Sequence, residues 1–173
     1  LKGIRRESAK VRTVRRVKPL MKKDLSEMID MLKPDNLREA RDAALLALGW
    51  AGAMRRSELV GLDWKELGAS KDDCRSGFVE LDDDAGITIT LMTSKGAQDV
   101  AQTIIIPKDC APLLCKAVAN WIEVGKIERG APLFRAMQGK FDAKRLGAKR
   151  ISGESAAEIV KRRIHVLIKA RSK

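Results

Sequence analysis

Between Ala43 and Ala53 the chain is apolar almost throughout, broken only by Gly49 and Gly52, and it then runs into Arg55-Arg56-Ser57-Glu58. A segment apolar on every face belongs in a buried helix. The spacing predicts that helix over 37–50, with the two glycines marking the turn that follows. Two guanidiniums at the end of so apolar a run are costly unless they meet partners or a ligand. If the next segment is helical, Glu58 is a neighbour of Arg55 at i+3, and Leu59 and Leu62 turn inward. Read alone, Arg55 and Glu58 are an ion pair at a helix start, and most such pairs do nothing more. An arginine held in this way also presents a planar fork of donors to phosphate or carboxylate oxygens.

Charge narrows the choice of partner. The net charge of +12 over 173 residues is unevenly spread. Residues 1–23 hold ten basic and one acidic side chain, 24–125 hold eleven and eighteen, and 126–173 hold fourteen and four. Two basic ends flank an acidic middle, and a basic surface of this size favours a polyanion, with nucleic acid first among them. A membrane-surface anchor fits less well, because 1–18 lacks a large apolar face, and no apolar run reaches the roughly 18 residues of a membrane span. Cys74, Cys110 and Cys115 are odd in number and lack a C-x-x-C spacing, which fits reduced thiols in a cytosolic compartment. With one histidine and no thiolate cluster, a zinc site is not expected.

The rest of the pattern reads as a mixed domain. Leu25, Met28, Ile29 and Leu32 form an i, i+3, i+4, i+7 stripe, with Asp24 and Glu27 as a capping pair. Phe78–Leu81, Ile87–Leu91 and Thr103–Ile106 are strand-like, the second with clean alternation, and short links predict a three-stranded antiparallel meander. A helix opens at Asp109 or Pro112 and turns Leu113, Leu114, Ala117, Val118, Trp121 and Ile122 to the core. Residues 131–152 read as irregular, and Ser155 with Glu158 as a capping box for a last helix. Asp82, Asp83 and Asp84 could suggest a divalent-metal site, but adjacent strand residues point to opposite faces, which makes them a solvated turn. The expected class is α+β, mostly helical, with a small antiparallel sheet.

The run Arg41-Asp42-Ala43-Ala44-Leu45-Leu46, then Gly52-Ala53-Met54-Arg55-Arg56-Ser57-Glu58-Leu59 with Leu62 and Trp64, resembles the first catalytic box of the tyrosine recombinases, the phage-integrase family. The resemblance implies that Arg55 is the catalytic arginine and Glu58 its supporting carboxylate. It also likens Thr93-Ser94-Lys95 and the strand after it to the family's β-hairpin, whose lysine is a general acid; alone, Lys95 is an ordinary turn lysine. Residues 1–18 then form a basic interdomain linker, with Gly3-Ile4-Arg5-Arg6 like the exit from an arm domain. Residues 19–173 form the N-terminal and central part of a catalytic domain. The expected DNA-backbone contacts are Arg5, Arg6, Arg12, Arg15 and Arg16 at one end. In the middle and at the other end they are Arg56, Lys144, Arg145, Lys149, Arg150, Lys161 and Arg162. The implied partner is double-stranded DNA, gripped by a homo-tetramer, with no cofactor, no metal and no membrane. The implied setting is the cytoplasm of a bacterium or a phage host.

The pattern departs from the family in one respect. The positions that should read His-x-x-Arg are His165-Val166-Leu167-Ile168, and the chain contains no tyrosine. His165 is therefore expected to be non-catalytic, and Ser155–Arg163 to match the helix before that second box. The chain is expected either to be part of a longer enzyme whose remaining sequence carries the nucleophile, or to be a DNA-binding relative without catalysis.

Overall fold

A computed structural model describes residues 19–65, 76–92, 101–139 and 145–172. Its helices are α1 (Lys22–Asp30), α2 (Leu37–Ala51), α3 (Arg56–Val60), α4 (Pro112–Val124) and α5 (Gly153–Arg171). Its strands are β1 (Leu62–Trp64), β2 (Gly77–Asp82), β3 (Gly86–Leu91), β4 (Gln102–Pro107), β5 (Arg135–Gln138) and β6 (Arg145–Arg150).

The α+β class holds, but the sheet differs from the expected meander. β2, β3 and β4 are antiparallel, and β1 adds a fourth strand parallel to β2, with Leu62 opposite Gly77 and Trp64 opposite Val79. A parallel link needs about a dozen residues, and 65–76 supplies them. The stretch 131–152, expected to be irregular, contains the β5–β6 hairpin. Segment 130–134 runs beside β1 through the Gly130 N–H to Trp64 carbonyl bond at 2.7 Å and the Leu133 N–H to Leu62 carbonyl bond at 2.9 Å. The basic hairpin is thereby tied to the strand that follows α3.

α2 is the centre of the core. Every residue from Ala40 to Leu48 is buried, and the helix packs chiefly against α4, where Trp121 is fully buried and donates to the Leu133 carbonyl at 2.9 Å. Asn36 caps α2 by accepting from the Arg38 and Glu39 amides. The turn after it is not made as expected. Gly49 lies inside the helix, where a Cβ would come within 3.1 Å of Leu59 Cδ2, so it permits the close approach of α3. The left-handed residue of the turn is Ala53 (φ 46°), not Gly52. Two other caps also shift. Asp24 accepts from the Met21 amide at 2.9 Å, while Glu27 pairs with Arg171, so they are not a mutual pair. Ser152, not Ser155, caps α5, accepting from the Ser155 amide at 3.1 Å.

Candidate functional site: a basic cleft at the start of α3

Arg55 is not on the helix. It is the residue before it, extended at φ −66° and ψ 151°, and Glu58 is the third residue of α3. One Glu58 carboxylate oxygen accepts from the Arg55 backbone N–H at 2.7 Å, and the other accepts from the Arg55 guanidinium at 2.7 Å. Glu58 therefore both satisfies an orphan amide at the helix start and fixes the guanidinium. Its own burial raises its pKa, but the Arg55 amide, the guanidinium hydrogen bond and the arginine's charge outweigh that, so it sits below its ordinary 4.5. The carboxylate is an acceptor at neutral pH. The Arg55 side chain is 57% exposed against 11% for Glu58. One end of the pair is anchored and the other is open.

The open end faces a cleft of about 660 Å³ lined by Arg55, Arg56, Ser57, Ser76, Arg150 and the first turn of α5 at Gly153 and Glu154. Arg55 and Arg56 both line it, although a shared helix would have aimed them about 100° apart; because Arg55 precedes the helix, that constraint does not apply. Arg150 enters from β6. It donates to the Leu62 carbonyl at 2.9 Å and pairs with Asp63, which is buried. β6 and β1 are thus fastened together, and Arg55, Arg56 and Arg150 all line the cleft. Such a site suits an oxyanion.

The remaining expected residues are scattered. Arg145 and Lys149 are exposed on β6, and Lys161 makes an exposed pair with Glu158 at 2.7 Å. Arg162 is half-exposed and bonded to Asp42 at 2.8 Å, so its structural partner is a carboxylate of this chain. Lys95, Lys144, Arg5, Arg6, Arg12, Arg15 and Arg16 lie outside the described residues. His165 is exposed on α5 and does not line the cleft. Asp82 accepts from the Asp84 and Ala85 amides at 2.9 and 2.8 Å, the geometry of a tight turn. Among the described residues no helix is long and apolar enough to cross a membrane.

Periodicity did not reveal a second ionic cluster. Asp42, wholly buried in α2, accepts from Arg41 on one oxygen at 3.0 Å, and from Arg162 at 2.8 Å and Arg163 at 2.7 Å on the other. The signal in the sequence was an Arg-Asp pair at the head of an apolar run; its partners lie 120 residues further on.

The chain is similar to an integrase/recombinase XerD homologue of Selenomonas ruminantium, with 31% identity over 166 residues. The match covers 94% of this chain and 43% of that protein, so the chain spans less than half the length of the curated relative it matches. No protein-family profile and no solved structure matches the chain. This relative supports the tyrosine recombinase family for the chain.

Proposed function

We propose that this chain, residues 19–173, is the N-terminal and central part of a catalytic domain that cleaves and rejoins duplex DNA at specific sites through a 3′-phosphotyrosine link. The observation that carries this reading is the Arg55–Glu58 pair, anchored at the carboxylate and open at the guanidinium, in a cleft shared with Arg56 and Arg150. A scissile phosphate seated there would meet Arg55 through a non-bridging oxygen, and Arg55 would stabilise the charge that grows on the pentacoordinate phosphorus. Glu58 is the positioning residue. Lys95 supplies the proton to the 5′-oxygen that leaves when the tyrosine oxygen attacks. The phosphodiester's energy is kept in the tyrosyl–phosphate bond, so ligation reverses the step without ATP or metal. No tyrosine occurs among the 173 residues, so the nucleophile comes from sequence outside them.

The basic stretches 1–23 and 126–173 hold the DNA backbone, which fixes position and not sequence. Residues 1–18 link the domain to a preceding arm, and four copies assemble on DNA in the cytoplasm of a bacterium or a phage host. The absence of tyrosine favours one second reading, a DNA-binding relative without catalysis. The test is covalent trapping of the full-length protein on a nicked duplex that cannot religate. A protein–DNA adduct that survives denaturant and is lost in Arg55→Ala supports the recombinase. Salt-sensitive DNA binding with no adduct supports the second reading.

A further inference from the structure

The two edges of the four-stranded sheet are finished differently. On the β1 side, segment 130–134 lies alongside: Asp63 bridges to Pro132, and the Gly130 and Leu133 amides donate to the Trp64 and Leu62 carbonyls. β4 forms the other side, and among the described residues it pairs with β3 alone. Proteins blunt such an edge with a lysine or another charge, a bulge or a covering segment. Residues 101–107 hold no charged side chain, and β4 follows β3 in unbroken register. Three consecutive isoleucines, Ile104 to Ile106, give it strong strand character. Ile105 is 66% exposed, and Thr103 is exposed beside it.

The register fixes which backbone groups face outwards. Hydrogen-bonded and non-hydrogen-bonded pairs alternate along an antiparallel ladder. The Lys108 amide donates to the Ala85 carbonyl at 3.2 Å, one step beyond the Gly86–Pro107 pair. Ile106, Ile104 and Gln102 therefore bond to β3, while Thr103 and Ile105 point their N–H and C=O groups away from it. The other side of β3 agrees. The Met92 amide donates to the Ser76 carbonyl at 3.0 Å, which turns Thr90 and Thr88 to β2 and leaves Ile89 and Ile87 for β4. Pro107 has no N–H, and its carbonyl accepts from the Cys110 and Ala111 amides. The open edge of β4 is thus two donors and two acceptors, on Thr103 and Ile105, with a proline closing one end.

We propose that β4 is a surface through which two copies of this chain associate without DNA, joined antiparallel into one continuous sheet. Thr103 of each copy exchanges both backbone hydrogen bonds with Ile105 of the other, which uses all four open groups of each edge. The same register sets Ile104 against Ile104 as the close, non-hydrogen-bonded pair. A second copy is the occupant because the edge matches itself: its open groups sit on either side of Ile104, so a two-fold axis there leaves none unpaired. Charge favours the same occupant. Copies that each carry +12 repel one another, and an uncharged strand lets them approach without setting like charges face to face. A two-fold pairing closes on itself, so growth stops at a dimer. The association does not rest on the reading of the Arg55 cleft.

Sedimentation equilibrium of the 173-residue chain, over a concentration series and without DNA, tests this. The mass should rise from 19.1 kDa towards twice that value and stop there. Ile105→Pro removes one outward N–H without taking a bond from β3, and Ile105→Lys gives the edge the charge it lacks. Both should keep the monomer mass while melting as folded proteins. Ile105→Lys leaves the backbone untouched, so it decides the matter if Ile105→Pro does not fold. Ile104→Cys tests the register. The Cα atoms of a non-hydrogen-bonded pair lie about 4.5 Å apart, within disulfide reach. Mild oxidation should therefore yield a covalent dimer well above the wild-type level, which controls for the chain's own cysteines. A mass that stays monomeric throughout, growth past the dimer, or a dimer that persists in folded Ile105→Lys overturns the proposal. So does a dimer that Ile104→Cys fails to cross-link.

Discussion

Asp42 and Glu58 are both buried carboxylates that hold arginines, and they do opposite things with them. Asp42 sits in the first half of the core helix and accepts from guanidiniums of α2 and α5. Glu58 sits at the first turn of a short helix and holds one guanidinium by a single nitrogen, with the arginine more than half exposed. The first arrangement fastens two helices 120 residues apart in the chain. The second leaves a charged fork aimed at a cleft. Burial of the carboxylate is common to both; what separates them is how open the arginine is, 57% at Arg55 against 6% at Arg41 and 12% at Arg163.

That contrast can be broken most violently at Asp42. Asp42→Asn keeps the shape and removes the charge, leaving Arg41, nearly wholly buried, without its counter-ion. Breaking one partner of a buried ionic group costs about 3–5 kcal/mol, and the loss should appear in urea unfolding as a lower midpoint with an unchanged slope. Arg55→Ala should do the reverse. The Arg55 end of the pair is open to solvent and Glu58 keeps the backbone N–H of residue 55 as a partner, so its midpoint should move far less than that of Asp42→Asn. Removing one preorganised transition-state donor costs about 3–4 kcal/mol in the cleavage step, which covalent trapping in the full-length protein would read.

Glu58 lies between these extremes. Its folded pKa is held below 4.5, so its contribution is complete above that value and is lost as pH falls through the depressed one. Wild type should therefore lose more stability than Glu58→Gln on acidification from neutral pH to below 4.5, and the two should converge in acid; parallel curves would mean that Glu58 does not hold Arg55. The smallest effect is expected at Lys161→Ala. That pair is about 70% exposed at both ends, so the change should stay within about 0.5 kcal/mol.

The legible parts of the fold were those carried by local patterns. The apolar α2, the alternating β3 and the stripe of α1 each announce themselves within a few residues. β1 is three residues long, and its pairing with β2 depends on a link that carries no periodicity. The β5–β6 hairpin has Arg135, Arg145, Lys149 and Arg150 where apolar alternation would have marked strands. The caps were misplaced by a few residues because Ser152 and Ser155 are both plausible on sequence, and only backbone geometry separates them. At the site, Arg55 and Glu58 were legible as a pair, but their relation is a cap and not a helix face. Arg150 was expected to grip DNA, and its hold on Asp63 and Leu62 could not be read, since 87 and 88 residues separate the partners. The links of Asp42 to Arg162 and Arg163 were hidden for the same reason.

The central claim is that the geometry of the Arg55 fork, not its charge, serves the reaction. Arg55→Lys in the full-length protein tests it most directly, scored by covalent trapping on a nicked duplex with Arg56→Ala beside it. An ammonium keeps the charge but cannot hold Glu58 and a phosphate oxygen with separate nitrogens of one plane. Arg55→Lys should bind DNA and melt as wild type does yet form no adduct, while Arg56→Ala forms most of the normal yield. A normal adduct yield in Arg55→Lys, or the loss falling on Arg56→Ala instead, would contradict the assignment.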